Sequence, residues 1–402
     1  MAFVLVQHLD PDYNSALAEI IGGSTTMPVH RATDGAVAGP NTVSVIPPNA
    51  VMKIEKGALR VARAETTTAR RSSIDTFLFS LAEDQGENAI GIILSGFGSD
   101  GSAGIAAIKE GGGFTLSEAE FGHQAKRGMP QSAAAGGLVD LVLTPEDMPA
   151  ALLEYQGVKD RLSSLPEPDA SVPDLAGRLD TICAVLHSRL GHDFGHYKAS
   201  TLLRRIRRRM QVLRIDEPDS YIEQLRTSPL ESELLFREIL IGVTRFFRDA
   251  TMFENVAEAV RLSLVSGSDP DAPIRLWVAG CATGEEAYSL AILMREACLR
   301  AEVPRRVIIF ATDIDDRAVS FARAGLYGSA IEAEVDAERL ESHFNKEGSG
   351  YRVAKHIRDM CVFSKHDLVK DPPFSRLDMI ACRNLLIYFN TELQQRVIGT
   401  FH

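Results

Sequence analysis

Cysteine is scarce in this sequence and never clustered. Cys183, Cys281, Cys298, Cys361 and Cys382 stand far apart, with no CxxC pair among them. That spacing argues against a disulfide framework and against a structural zinc site, and it fits a reducing compartment, expected to be the cytoplasm. No apolar run approaches the roughly 18 residues of a membrane helix, so no membrane insertion is expected. The N-terminus has neither a basic region nor a signal core, which argues against export. Positive charge is in deficit: 43 Lys and Arg face 54 Asp and Glu, for a net charge of −11. A dedicated nucleic-acid binder is therefore disfavoured, although a local basic patch remains compatible with this balance. With 45% hydrophobic and 24% charged residues, wholesale disorder is excluded as well.

What is present is enough chain, 402 residues, for two or three domains with real cores. The clearest break is 158–176, where Pro166, Pro168 and Pro173 lie among Ser, Asp and Glu; it reads as a linker. Before it, 1–157 alternates strand-like and helical patterns. Strands are expected at 3–7, 42–46, 89–95 and 138–143, a hairpin at 51–62, and helices at 16–21, 74–84 and 101–110. Such alternation predicts an α/β domain with a mainly parallel sheet. Residues 177–258 carry helical periodicity and almost no strand signal. From Ile274 the α/β pattern returns, with strands at 274–279, 307–311 and 377–381 and a helix at 285–300. Both ends read as cut inside an element, the first in an apolar run at Phe3 and the last in a helix at Phe401, whereas natural domains usually end in polar segments.

The densest chemistry lies in the last third. Arg275 to Leu290 reads as a strand, a turn framed by Gly280 and Gly284, and a helix start, a context that lets a ligand approach the backbone closely. It is not GxGxxG, and Glu285-Glu286 at the helix start would repel a phosphate. A cationic or neutral nucleoside fits better than a dinucleotide. Asp313, at the tip of the next strand, is placed to accept hydrogen bonds from ribose hydroxyls. The plainer reading makes Gly280 and Gly284 turn residues and Asp313 a helix cap. Two further clusters, Thr244-Arg245-Phe246-Phe247-Arg248-Asp249 and Cys382-Arg383-Asn384-Leu385-Leu386-Ile387-Tyr388-Phe389, have no comparable plain reading.

Taken in order, these segments and the basic helix described below resemble the CheR-type chemotaxis-receptor methyltransferases from about Leu179 to the end of the chain. The resemblance implies S-adenosyl-L-methionine as cofactor and receptor glutamates as methyl acceptors. It implies that Thr244 and Arg248 contact the carboxylate end of the cofactor, Glu286 and Asp313 its amino-acid and ribose parts, and Asp367 and Leu368 its adenine. Arg383, Asn384 and Tyr388 would line the methyl-transfer pocket. Gly242 and Ala287 depart from the Asn and Pro often found there. A carboxylate is already a nucleophile at neutral pH, so no general base is needed; positioning and desolvation should suffice. Arg248 and Arg383 are suited to neutralising carboxylates. The family's sheet normally continues with a strand pair after the last helix seen here.

The segment 198–214 carries Lys198, Arg204, Arg205, Arg207, Arg208, Arg209 and Arg214 and no acid. Leu202, Leu203, Ile206, Met210 and Leu213 form its apolar stripe. Arg204 and Arg208 are expected opposite that stripe, with Arg205 and Arg207 flanking. A solvated charged face is the ordinary reading. In an acidic protein the cluster also suits an acidic partner, and the resemblance places receptor docking here, against a helical Glu-rich methylation segment. RNA is the rival partner, but no aromatics interleave the arginines. His192-Asp193-Phe194-Gly195-His196 mimics HExxH. It lacks the Glu base and a third ligand, so no metal is expected.

In the first domain, His8 follows a buried strand and Asp100 sits in the Gly-rich turn Gly96-Phe97-Gly98-Ser99-Asp100-Gly101. Strand-end His and Asp are where a catalytic triad sits in an α/β sheet, though a lone His is more often structural. With Val45-Ile46-Pro47-Pro48-Asn49 and Gly128-Met129-Pro130-Gln131-Ser132-Ala133, these residues resemble the CheB-type receptor methylesterases. The resemblance implies His8 as general base, Asp100 as its orienting acid and the Phe97 N–H as an oxyanion donor. The family's serine precedes the histidine and falls outside this sequence, so no methylesterase activity is expected of these 402 residues. The fold expected is thus an N-terminal α/β methylesterase-like domain, a small helical subdomain (177–258) and a Rossmann-like S-adenosylmethionine-dependent methyltransferase domain (270–402). A non-catalytic signalling scaffold and a methyltransferase of RNA or small molecules are the alternatives.

Overall fold

The computed structural model describes residues 1–9, 15–64, 66, 72–119, 128–135, 139–164, 175–240, 242, 244–266, 272–302, 305–348 and 350–401. The chain divides into two compact units, Met1–Leu152 with Gly328–Ala333, and Leu153–Tyr327 with Glu334–His402.

In the first unit, strand Val43–Val45 lies between Phe3–Leu5 and Val29–Arg31, all parallel. A second parallel sheet places Phe114–Glu118 between Ile90–Ile93 and Leu141–Leu143. The hairpin Ala50–Glu55/Ala58–Arg63 turns at Lys56-Gly57, as the pattern predicts. Helices Ser73–Gln85 and Ser102–Glu110 close a core that includes Phe77, Ile93, Ile105 and Ile108. Phe114–Glu118 was not expected as a strand. Its alternating Phe114-Thr115-Leu116-Ser117 follows three glycines, yet the strand is central and Thr115 and Ser117 are buried with it.

The linker expectation is corrected at its start. Helix Met148–Ser164 occupies the first part of 158–176, with Tyr155 and Val158 buried; 165–174 lie outside the described residues.

In the second unit, helices Leu179–Leu190, Ala199–Leu213, Pro218–Thr227 and Pro229–Ile239 enclose a core of Ile182, Leu186, Leu202, Ile206, Tyr221, Leu225 and Leu235. Ser228 caps the last of them, accepting a hydrogen bond from the Glu231 N–H at 3.2 Å. Phe389, Leu393 and Val397, from the far end of the sequence, complete this core. The helical segment is thereby packed on the final helix, Thr391–Thr400.

The sheet of this unit is parallel, ordered Cys361–Lys365, Val307–Asp313, Ile274–Ala279, Met379–Ala381. Its central strands are apolar because both faces are covered: Trp277, Val278, Ile309 and Ala311 are essentially inaccessible. Cys361–Lys365 was not anticipated. A small antiparallel hairpin, Phe344–Glu347/Gly350–Val353, lies between the two strands in sequence. Among the described residues no helix is long and apolar enough to cross a membrane.

Candidate cofactor site and histidine–aspartate pair

The turn after Ile274–Ala279 is built by backbone geometry that only glycine holds without strain. Gly280 and Gly284 have φ of 76° and 96°. A Cβ on Gly284 would lie 2.7 Å from the Ala322 Cβ, and one on Gly280 3.0 Å from Leu385. The N–H groups of Gly280 and Cys281 both donate to the Thr312 carbonyl, at 2.8 and 2.9 Å. Asp313 sits at the tip of the neighbouring strand. Its Oδ2 accepts from the Ala282 N–H at 2.9 Å and its Oδ1 from the Asp315 N–H at 3.0 Å. It is therefore a brace that ties two strand ends together, and each oxygen retains a second lone pair. The helix cap expected in the plain reading is Asp315, whose side chain accepts from the Arg317 N–H.

Three carboxyls crowd this helix start, Glu285 buried and Glu286 and Glu334 half-buried. Glu285 is pushed up to about 8 by burial, with Thr283 donating to it at 2.7 Å. Burial likewise pushes Glu334 up to about 7; it accepts from the Phe246 N–H at 2.9 Å. Burial raises Glu286, partly offset by the charges of Arg383 and Arg248. Glu286 Oε2 lies 3.3 Å from Arg383 Nη1, whereas its Oε1 is buried and, among the described residues, has no hydrogen-bond partner. A buried, unpaired carboxylate oxygen costs free energy until a donor reaches it. It is the feature of this site that a cationic ammonium would satisfy.

Arg383 does more than the sequence suggested. Besides Glu286 it donates to the Arg248 carbonyl at 3.0 Å and pairs with Asp249. Its guanidinium is thus committed to carboxylates of its own chain and holds the Thr244–Asp249 segment against the helix start. That segment is anchored by Phe246, which is buried edge-on to Tyr327 and Phe344, and by the Phe247 N–H, which donates to Ser289 Oγ at 3.0 Å. Thr244 and Arg248 are half-buried on it, and Asn384 is exposed with φ of 54°. Asp367 and Leu368 follow strand Cys361–Lys365, beside Asp313, where the His366 N–H donates to the Asp313 carbonyl at 2.9 Å. Asp367 bonds His192, and Leu368 packs on the helical core. Tyr388 also packs against that core, in the turn Leu386–Tyr388.

The basic helix needs correction. Arg205 and Arg208 were expected to face a partner, but they are 1% and 3% exposed. Both meet Glu238, at 3.6 and 2.8 Å. Arg209 makes a two-pronged pair with Glu231, at 3.0 and 2.6 Å, which Tyr221 completes at 2.9 Å. Buried guanidinium requires such partners; helix Pro229–Ile239 supplies them on the flank that the stripe pattern left to solvent. Only Arg204 and Arg207 of the four expected docking arginines are exposed.

In the first unit, His8 Nε2 and Asp100 Oδ2 are 2.7 Å apart. Asp100 is 5% exposed and oriented by the N–H groups of Ile74, Asp75 and Gly101, at 3.0, 2.9 and 3.0 Å. Burial, then the charge of Asp100, pushes the neighbouring Asp75 well up. His8 is partly open to solvent, and the Phe97 ring is 84% exposed. This geometry is the one that the orienting half of an acid–base relay requires. Asp75, Asp249, Ser289 and Glu334 carried no signal in the sequence that marked them individually as parts of either site, because their partners lie far away along the chain; Asp249 and Ser289 stood inside the motifs without a role.

A parallel sheet with a glycine turn after one strand, acids at the next helix start and an acid at the adjacent strand tip defines the class of α/β domains that bind a nucleoside-containing cofactor at their strand ends. Comparison with known proteins gives the family. Residues 242–402 match the CheR methyltransferase SAM-binding domain, 178–240 the CheR methyltransferase all-alpha domain, and 1–152 the CheB methylesterase. A putative methyltransferase of Pseudomonas putida is 32% identical over 54% of this chain and 80% of its own length. A chemotaxis protein methyltransferase of Listeria innocua is 30% identical over 57% and 86%. The chain belongs to the CheR methyltransferase family, with a CheB methylesterase-type domain preceding it. An uncharacterized 104.1 kDa protein of Rhodobacter capsulatus is 36% identical over 96% of this chain, which spans 42% of that relative's length. S-adenosylmethionine is the cofactor of the matched domain, and the unpaired Glu286 oxygen fits its ammonium.

Proposed function

We propose that this chain is an S-adenosylmethionine-dependent protein-glutamate O-methyltransferase acting on chemoreceptors in a chemotaxis-type pathway. The observation that carries the reading is the Glu286–Arg383–Asp249 clasp with its unpaired carboxylate oxygen. S-adenosylmethionine, when bound, supplies an electrophilic sulfonium methyl. Glu286 would hold its ammonium, Thr244 and Arg248 its carboxylate end, Asp313 the ribose hydroxyls, and Asp367 and Leu368 the adenine. Asn384 and Tyr388 would line the pocket that receives the glutamate. Arg383 holds Glu286 in place; Arg248 brings positive charge to the same place. The incoming glutamate is its own nucleophile, so the protein's part is alignment and exclusion of water.

The acceptor is read as an acidic, helical receptor segment, met by Arg204 and Arg207 on the exposed side of helix Ala199–Leu213. The domains 1–157, 177–258 and 270–402 are read as the methylesterase-like, helical and cofactor domains. Titration calorimetry with S-adenosylmethionine, followed by transfer of labelled methyl to a receptor fragment, tests this. Binding at micromolar cofactor that weakens in Asp313→Ala, with label appearing on glutamate, is expected. No binding at such concentrations would refute it and leave a non-catalytic scaffold.

A further inference from the structure

His192 is a buried histidine that the proposed chemistry does not use. It follows Gly191, the left-handed residue that ends helix Leu179–Leu190. Its ring is 5% exposed and lies edge-on to Phe194, Tyr197 and Phe236, at 4.7, 5.8 and 6.0 Å between centroids. Both nitrogens are engaged: Nδ1 lies 3.2 Å from Asp367 Oδ2, and Nε2 3.2 Å from the Tyr197 hydroxyl. Burial pushes the Tyr197 hydroxyl up, so it stays protonated and donates to Nε2. The proton on Nδ1 is then directed at the Asp367 carboxylate.

Asp367 is held on three sides. Its Oδ1 accepts from the Val369 N–H at 2.9 Å, and its own N–H donates to Asp371 Oδ2 at 2.8 Å. Next to it, the His366 N–H joins the loop to Asp313, and the Lys370 ammonium meets the Gly191 carbonyl. The segment 191–197 therefore clamps the loop 366–371 at two points, and the side-chain point is His192.

We infer that His192 is a positioning residue for cofactor binding. Through Asp367 it sets the loop that the proposed function places against the adenine, so the inference rests on that reading. The helical segment then does more than dock a partner: it completes the cofactor site from outside the cofactor domain.

The test uses the full chain and three variants. His192→Phe keeps a buried aromatic ring and removes both bonds. His192→Asn returns an N–H donor near the Nδ1 position. Tyr197→Phe removes only the hydroxyl that selects the tautomer. The loss of one buried, charge-assisted hydrogen bond predicts that His192→Phe weakens S-adenosylmethionine about ten- to hundredfold, by calorimetry and by KM. At saturating cofactor, kcat stays within about twofold, since no transition-state contact is lost. His192→Asn recovers most of the affinity. Tyr197→Phe loses roughly three- to tenfold and carries the test if His192→Phe does not fold. Wild-type binding that persists unchanged in a folded His192→Phe, or in Tyr197→Phe in its place, overturns this inference alone. So does His192→Asn binding as poorly as His192→Phe. Absence of binding by the wild-type chain overturns the proposed function, and this inference with it.

Discussion

Glu285 makes the stability of the cofactor domain depend on pH in an uncommon direction. Its carboxyl is buried at the first turn of helix Glu285–Arg300 and pushed up to about 8, from an ordinary value of 4.5. Between those values the unfolded chain has released a proton that the folded chain still holds. Stability therefore falls as pH rises, by about 1.4 kcal/mol for each pH unit from this group. The cumulative cost is about 3 kcal/mol at pH 7 and about 5 kcal/mol above pH 8. Glu285→Gln keeps the shape and the acceptor for the Thr283 hydroxyl and removes the ionisation. The single tryptophan, Trp277, is fully buried in the central strand of the same sheet, so its fluorescence reports the unfolding of this domain. In urea titrations the variant should match the wild type to within about 1 kcal/mol near pH 5 and exceed it by several kcal/mol near pH 8. An equal difference at both pH values, or a variant weaker near pH 8, would refute the reasoning.

Three other outcomes follow from the geometry. Reversing the charge of the exposed pair, Arg204→Glu with Arg207→Glu, should lower receptor methylation without altering cofactor affinity, and more so at low salt; equal methylation at low salt would remove these residues from docking. Arg209→Met leaves Glu231 buried without its two-pronged partner and should cost roughly 3–5 kcal/mol of stability, read as a lowered melting temperature; a loss below about 1 kcal/mol would mean that the pair is open to water. Asp100→Ala removes the carboxylate that lies 2.7 Å from His8 and accepts from the Ile74 and Asp75 N–H groups, so it should cost roughly 1–3 kcal/mol of stability, read as a lowered melting temperature; an unchanged melting temperature would mean that water replaces the carboxylate.

Much of the cofactor site was legible along the chain because its parts are local. A buried strand, a turn needing positive φ at Gly280 and Gly284, and an acidic helix start are contiguous, and each is dictated by backbone sterics and burial over a few residues. The same holds for the His8 and Asp100 positions, which follow strand ends. The pairings were not legible. The apolar stripe of Ala199–Leu213 correctly marked Leu202, Ile206 and Met210 as core, but it left Arg208 to solvent, because the residue that covers it, Glu238, belongs to another helix.

By itself, then, the sequence determined many of the strands, turns and helices, though not Phe114–Glu118 or Cys361–Lys365, and which side chains bring chemistry to their ends, since periodicity and conformational preference act at short range. Only the tertiary structure decided the partners. Arg383 meets Glu286 across 97 residues, and His192 meets Asp367 across 175. A buried charge must find its counter-charge, and packing alone determines which one lies within reach.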